Sequence, residues 1–331
     1  MPSVYGIGNP LLDIIMSATF EALEETGAHP GSMNLVDSDA QRKVIEKCHV
    51  RSMRAGGSCA NTLRGVGWLW NGGDSFEAPC YTGAVGEDEA AARFEELLAS
   101  DGVEPLLAKK GLPTGTSAIA VTPDSERTMF TNLSACRALD LSDIHPEAIE
   151  NSAILHTTGY MWDTENQRQA TVASVEAARR RGALISFDIA DPFVVERYRE
   201  DLVQWIPGNV DLLFANEEEL RRLTGEVGSR EAVVRRAEHF APRVVMKVGA
   251  DGCYVVHDGA IRQVTGEPTR VIDTTGAGDA FAGGFLFGLL RDLPLEAAAV
   301  LANRLAGAIV GVEGCTYSEI DAEWVRKIID E

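Results

Sequence analysis

No pair of cysteines in this sequence stands in a C-x-x-C motif; Cys48, Cys59, Cys80, Cys136, Cys253 and Cys315 are scattered along the chain. That usage points to a reducing cytoplasm. The opening M-P-S-V-Y-G-I-G lacks a basic-then-apolar leader, and no apolar run approaches the roughly 20 residues of a membrane helix. A soluble protein with no membrane partner is expected. The six histidines form no i, i+4 pair, so no metal-ligand cluster emerges. Positive charge is scarce: 30 Lys and Arg stand against 50 Asp and Glu, a formal net charge of -20. A run such as Arg179-Arg180-Arg181 is too short to outweigh that field, which argues against nucleic acid as a partner. The acidity itself reads as solubility.

What is present is an ordinary globular composition, 45% hydrophobic and 24% charged, over 331 residues. That length predicts one large domain with an elaboration, or two lobes. The run V-Y-G-I-G-N-P-L-L-D-I-I reads as a buried strand that delivers a loop at its carboxyl end. Helical periods follow over 18–25, 39–47, 61–69 and 87–99. From residue 153 onward the strands A-I-L-H-T-T-G, A-L-I-S-F-D, V-D-L-L-F-A-N and R-V-V-M-K-V-G accompany helical periods over 166–181, 194–205, 217–224 and 231–240. That alternation predicts an α/β fold with a mostly parallel sheet and helices on both faces. Two stretches break it. T-G-T-S-A-I-A-V-T-P-D-S-E-R-T-M-F-T-N-L reads as a hairpin around Pro123-Asp124-Ser125, and G-S-M-N-L-V near residue 33 as another strand. A second hairpin, C-Y-V-V-H-D-G-A-I-R-Q-V, turns at Asp258-Gly259. The pattern predicts a small β-rich flap inserted twice into a large α/β domain.

The densest chemistry lies in D-T-T-G-A-G-D-A-F, which opens an apolar helical period of Phe281, Phe285, Leu286 and Leu289. Gly276 and Gly278 allow positive φ and close backbone approach, so the glycines sit at a helix N-terminus, where orphan N–H groups make an anion site. Asp279 would repel a bound phosphate unless it serves a group arriving at that phosphate, and a hydroxyl nucleophile fits. The helix dipole is expected to hold Asp279 ionised, with the amides of Gly276, Ala277 and Gly278 stabilising charge on a transferring phosphoryl group. G-A-G-D is also readable as a tight turn with Asp279 as a cap.

D-T-T-G-A-G-D-A-F resembles the second signature of the ribokinase-like (PfkB) carbohydrate kinases. A-G-G-S-C-A-N-T, 55–62, resembles the first. A-N-E-E-E-L matches the family's N-x-x-E element near Mg²⁺ and phosphates at Asn216 and Glu219, and K-V-G-A-D-G, 247–252, is similar to the loop against the ATP ribose and phosphates. Within the family the likeness is to adenosine kinases, through G-N-P-L-L-D-I, E-R-T-M-F-T-N-L, D-P-F, V-D-L-L-F-A-N-E and G-C-T-Y-S-E. The resemblance implies a ribokinase-like fold: a large doubly wound, mostly parallel sheet flanked by helices, formed by 1–12, 55–112 and 138–331, with a small β-rich lid formed by 13–54 and 113–137.

It also implies a site. Asp279 is the catalytic base with Gly276, Ala277 and Gly278 as anion hole. Arg127 is the lid arginine that neutralises the phosphoryl group, with a solvated surface arginine as its alternative. Asp13 is suited to accept hydrogen bonds from vicinal ribose hydroxyls, unless it only turns the chain, and Gly56, Gly57 and Asn61 approach the same sugar. Arg127, Met129, Thr131 and Leu133 alternate along one face of a flap strand, which suits closure over a flat apolar ligand, with ordinary packing on Leu35 and Val121 as the other reading of Met129. Thr131 departs from the small apolar residue expected there and leaves base preference open. Asn9, Leu11, Leu35 and Phe193 are further base contacts; Tyr160, Met161 and Trp162 follow a strand within reach of the pocket, although aromatics at strand ends more often read as core. Lys247, Gly249, Asp251, Gly252, Thr274 and Asn303 are assigned to ATP, and Asp273 and Thr275 to a monovalent cation such as K⁺, an Asx turn being the other reading of Asp273.

The implied activity is transfer of the γ-phosphate of ATP to the 5′-hydroxyl of adenosine, with Mg²⁺, by a monomer or homodimer. The alternatives are a kinase for inosine or guanosine and a sugar kinase using ribose or another furanose. A dinucleotide-dependent oxidoreductase is disfavoured, because G-I-G-N-P-L puts leucine at the third glycine position, and no Walker A lysine loop is present.

Overall fold

The computed structural model describes residues 4–70, 76–124 and 126–330; Ser125, at the expected flap turn, lies outside them. The strands among the described residues are β1 (Val4–Ile7), β2 (Leu11–Ser17), β3 (Met33–Leu35), β4 (His49–Gly56), β5 (Cys80–Val85), β6 (Glu104–Lys109), β7 (Thr116–Val121), β8 (Arg127–Asn132), β9 (Ile154–Thr158), β10 (Leu184–Asp188), β11 (Leu212–Asn216), β12 (Arg243–Lys247), β13 (Cys253–His257) and β14 (Ala260–Val264). They form a nine-stranded sheet in the order β14-β13-β12-β11-β10-β9-β1-β5-β6 and a five-stranded sheet in the order β3-β8-β7-β2-β4. From β12 to β6 every neighbouring pair is parallel, and β13 and β14 continue antiparallel.

Both faces of the large sheet are buried. Along β11, Leu213 and Ala215 join one apolar cluster while Leu212 and Phe214 join another. Successive side chains of a strand point to opposite faces, which is why these strands read as unbroken apolar runs. The first cluster is closed by Glu165–Arg180, Pro192–Trp205, Glu217–Thr224 and Arg230–Ala237, the second by Ser58–Leu69, Glu89–Ser100, Ala277–Leu290 and Leu295–Ile309. Helix starts follow local chemistry: Asp88 accepts the Ala91 N–H at 2.9 Å, and Thr164 that of Gln167 at 3.3 Å.

The opening run differs from its reading as one strand. β1 pairs with β5 and β9, the chain breaks at Gly8-Asn9-Pro10, and β2 enters the small sheet between β4 and β7. Both halves are apolar, so periodicity alone does not separate them. The helix expected over 231–240 spans Arg230–Ala237.

The small sheet is covered on one face only. Ile14, Met16, Ala118, Ala120 and Phe130 pack against Leu23 of Phe20–Glu24 and Val44 of Ser38–Glu46. The alternate residues Asp13, Ser117, Ile119, Met129 and Thr131 turn to the other side, toward the carboxyl ends of the parallel strands, and line a cavity of about 660 Å³ between the sheets. The carboxyl edge of an open α/β sheet is the usual place for a ligand, and this volume holds a small molecule.

Candidate active site

Asp279 lies in the first turn of Ala277–Leu290, whose N-cap Gly276 adopts φ +74°, a conformation that favours glycine. Its carboxylate lines the cavity and accepts hydrogen bonds from Ser58 Oγ at 2.6 Å and Asn61 Nδ2 at 3.0 Å. Both donors belong to Ser58–Leu69, so the two glycine-rich segments meet here. The first backbone bond across the helix start runs from Ala280 N–H to Gly276 C=O. The Ala277 amide is spent on Thr274 C=O at 3.2 Å, and Ala277 does not line the cavity, which corrects its place in the anion hole. The Gly278 and Asp279 amides have no acceptor among the described residues. Burial raises the Asp279 carboxyl above its ordinary range, outweighing the hydrogen bonds from Ser58 and Asn61.

Across the small sheet one register row runs Leu35, Thr131, Ser117, Asp13, Arg54, and the next Met33, Met129, Ile119, Ile15. Asp13 therefore projects from the same face as the flap residues. A Cβ at Gly56 would stand 2.3 Å from Asp13 Oδ1, so the glycine lets the carboxylate lie against β4. Gly57, at φ +91°, packs its backbone on Asn9 O. Gly56→Ala is expected to displace Asp13 at the 1–3 kcal/mol typical of overpacking, lowering the affinity of a ligand held by Asp13 roughly 10–100-fold while the fold survives. Calorimetric titration and circular dichroism together check this.

Burial pushes the carboxyls of Asp13 and Glu219 up to about 7. A carboxyl with a raised folded pKa binds its proton more tightly folded than unfolded. Its contribution favours the fold in acid and is withdrawn as pH climbs from the ordinary carboxylate range, about 4, to about 7. The empty protein is expected to lose thermal stability from these groups over that window, and Asp13→Asn to lose less. Scanning calorimetry at about pH 5 and about pH 8 decides it; an equal fall in both proteins would acquit Asp13.

Asn9, Leu11, Leu35, Met129, Thr131, Leu133 and Phe193 all line the cavity. So does Tyr160, whose hydroxyl donates to Asp191 Oδ2 at 3.0 Å, whereas Met161 and Trp162 are core as expected. The Asn9 amide is oriented by Gln167 Nε2 at 2.7 Å. Ser117 and Thr131 share a hydrogen bond of 2.9 Å in the cavity floor. Sequence reasoning did not single out Ser58, Ser117 or Asp188. Small polar residues carry no period, and only their contacts betray them.

Arg127 is not a solvated surface arginine. Its guanidinium stands 2.5 Å from Asp273 Oδ2 and donates to Thr275 Oγ1 at 3.1 Å. Asp273 also accepts the Thr275 N–H at 3.0 Å, an Asx-type turn, and the Gly314 N–H. The position expected to hold a monovalent cation is met here by the chain's own guanidinium.

Asn216 and Glu219 form a capping box at the start of Glu217–Thr224, with Glu219 accepting from Asn216 N–H at 2.8 Å and from Asn216 Nδ2 at 2.7 Å. Both line the cavity, as do Lys247, Gly249 and Thr274. Asp251, Gly252 and Asn303 do not. Asp251 pairs with Arg230 at 2.8 Å on the surface, Gly252 packs its backbone on Val264 O, and Asn303 Nδ2 donates to Val264 O at 3.2 Å, so the three shape the neighbouring loops.

A carboxylate beside helix-start amides that have no acceptor among the described residues, opposite a second carboxylate on a separate sheet, is an arrangement suited to group transfer. The chain belongs to the pfkB family of carbohydrate kinases, matching it over residues 31–322. It is similar to an adenosine kinase from Schizophyllum commune, 27% identical over 92% of this chain and 93% of that protein. It superimposes on an adenosine kinase from Sinorhizobium meliloti with a TM-score of 0.88, at 29% identity, covering 99% of this chain and 98% of the other. A protein named "probable sugar kinase protein" from Rhizobium etli gives a TM-score of 0.89 at 27% identity, with 99% and 98% coverage. The fold is thus ribokinase-like, and the family makes the protein a phosphotransferase with an alcohol acceptor that uses ATP.

Proposed function

We propose that the protein is a nucleoside kinase that transfers the γ-phosphoryl group of ATP to the 5′-hydroxyl of adenosine, giving AMP and ADP. The observation that carries this reading is the Asp279 carboxylate, oriented by Ser58 and Asn61 and free of any ion pair among the described residues, beside the unpaired Gly278 amide. Asp13 accepts the vicinal ribose hydroxyls, and the base lies between Leu11, Leu35, Met129, Leu133 and Phe193. The 5′-oxygen attacks Pγ as its proton passes to Asp279. The bond from Pγ to the bridging oxygen breaks, and ADP departs with the electron pair. Alignment and charge neutralisation supply most of the acceleration, because such transition states need little covalent help.

Mg²⁺, when bound, neutralises phosphate charge. Asn216 and Glu219 fit a role in holding its water shell: both line the cavity, and each Glu219 oxygen has one bond to Asn216 with acceptor capacity left over. Arg127 is rooted in the small sheet, which in this reading is the lid, built from 13–54 and 113–137 on a large domain of 1–12, 55–112 and 138–331. The six free cysteines suit a reducing cytoplasm.

A second reading, a furanose kinase, is favoured by one observation. The Ser117 and Thr131 hydroxyls put polarity in a floor that a purine alone would leave apolar. A panel of adenosine, inosine, guanosine and ribose with ATP separates the two. Adenosine is expected to exceed ribose in kcat/KM by at least ~10²-fold, because ribose forfeits the apolar walls. Saturation by ribose with indifference to the base would overturn the nucleoside reading.

A further inference from the structure

We infer that Lys247 is a further catalytic residue, whose ammonium group meets the transferring phosphoryl group between Asp279 and Glu219; this rests on the kinase reading above. Lys247 ends β12 at the carboxyl edge of the large sheet and lines the cavity. Its Nζ lies 2.6 Å from Asp188 Oδ2, at the end of the neighbouring-but-one strand β10. A Cβ at Gly278 would come 3.2 Å from the same Nζ, so the amine stands against the glycine whose amide is unpaired. The absence of a side chain at 278 thus serves two donors at once.

Charge places Lys247 between the two ends of the reaction. Asp279, on the acceptor side, and Glu219, on the metal side, line the same cavity as Lys247, and burial, which works against the lysine's charge, is outweighed by Asp188 and Glu219. His156, beside Asp188, is held neutral by burial, with its pKa lowered to about 4, and contributes no rival cation. Of the cavity's other cations, Arg127 is committed to Asp273 and Thr275, and Arg197 stacks over the Phe193 and Tyr198 rings at 5.0 and 5.3 Å. An ammonium has three donors, of which one is spent on Asp188 and two remain for the oxygens of a phosphoryl group in flight. In that transition state negative charge spreads over three equatorial oxygens, and a fixed cation in a closed site stabilises it without rearrangement.

Lys247→Met alone leaves Asp188 buried and unpaired, which endangers folding. The test therefore uses the charge-balanced Asp188→Asn/Lys247→Met protein, with Asp188→Asn and wild type beside it, and measures kcat, KM for ATP and the Kd for adenosine. Loss of one transition-state donor predicts a fall in kcat of about 10²–10³-fold in the double variant, with adenosine Kd changed less than about threefold. Asp188→Asn, which keeps the amine, is expected to retain at least about a tenth of wild-type kcat. A double variant within about fivefold of wild-type kcat, or an Asp188→Asn loss as large as that of the double variant, overturns the role of Lys247. A wild-type protein that phosphorylates no acceptor in the panel would instead undo the kinase reading itself.

Discussion

Asp279→Asn is expected to fold, to bind adenosine and to turn over about 10²–10⁴-fold more slowly, the usual worth of a general base. The substitution keeps the shape of the side chain, and its amide oxygen can still accept from Ser58 or Asn61, which hold the native carboxylate at 2.6 and 3.0 Å. What disappears is the only group in the first turn of Ala277–Leu290 that can take a proton from a hydroxyl. Because burial raises the carboxyl above its ordinary range, the acid limb of the wild-type kcat profile should fall above that range as well, and the variant should lack it. Stopped assays across pH, with adenosine Kd from calorimetry, give both quantities. Near-normal kcat would falsify the assignment.

The second large effect concerns Asp13. Two hydrogen bonds from vicinal hydroxyls to a carboxylate contribute about 1.5–3 kcal/mol each, so Asp13→Ala is expected to lose roughly 10²–10⁴ in kcat/KM. A merely structural role would give a similar loss, so the substrate must be varied too. Wild type should discriminate strongly against 2′-deoxyadenosine, and Asp13→Ala should not, since the missing hydroxyl no longer has a partner. Undiminished discrimination in the variant would place the ribose elsewhere. The variant also removes a carboxyl whose pKa burial raises to about 7, so it should gain thermal stability relative to wild type in mild alkali.

How much of this was legible beforehand depended on range. The alternating strands and helices after residue 153, the helix Glu217–Thr224 and the helix start at Gly276 are local signals, set by periodicity, capping and a positive φ, and they emerged where expected. The same locality misled at 4–15, where one apolar run serves two sheets. The roles of Ser58 and Asp188 depend on partners 221 and 59 residues away, and no short pattern encodes such a meeting. Arg127 shows the limit from the other side. Its residue type announced a charge for phosphate, while its engagement with Asp273 belongs to tertiary geometry alone. Asn216 and Glu219 stand out as a pair, but N-E-E-E at a helix start serves capping as well as ion binding, and it takes the folded geometry to reveal the side chains in the posture of the first.

Asp13 and Arg127 are rooted in the five-stranded sheet, Asp279 and Lys247 in or beside the nine-stranded one. Neither half is a complete machine. In the reading proposed here the span between the two sheets acts as a caliper, and a substrate is gauged by whether its own length bridges the jaws with the reactive end at one tip. On that reading water, too short to bridge the two, leaves the span unset, and the arrangement that spends ATP on an alcohol is one that an idle molecule of solvent does not assemble.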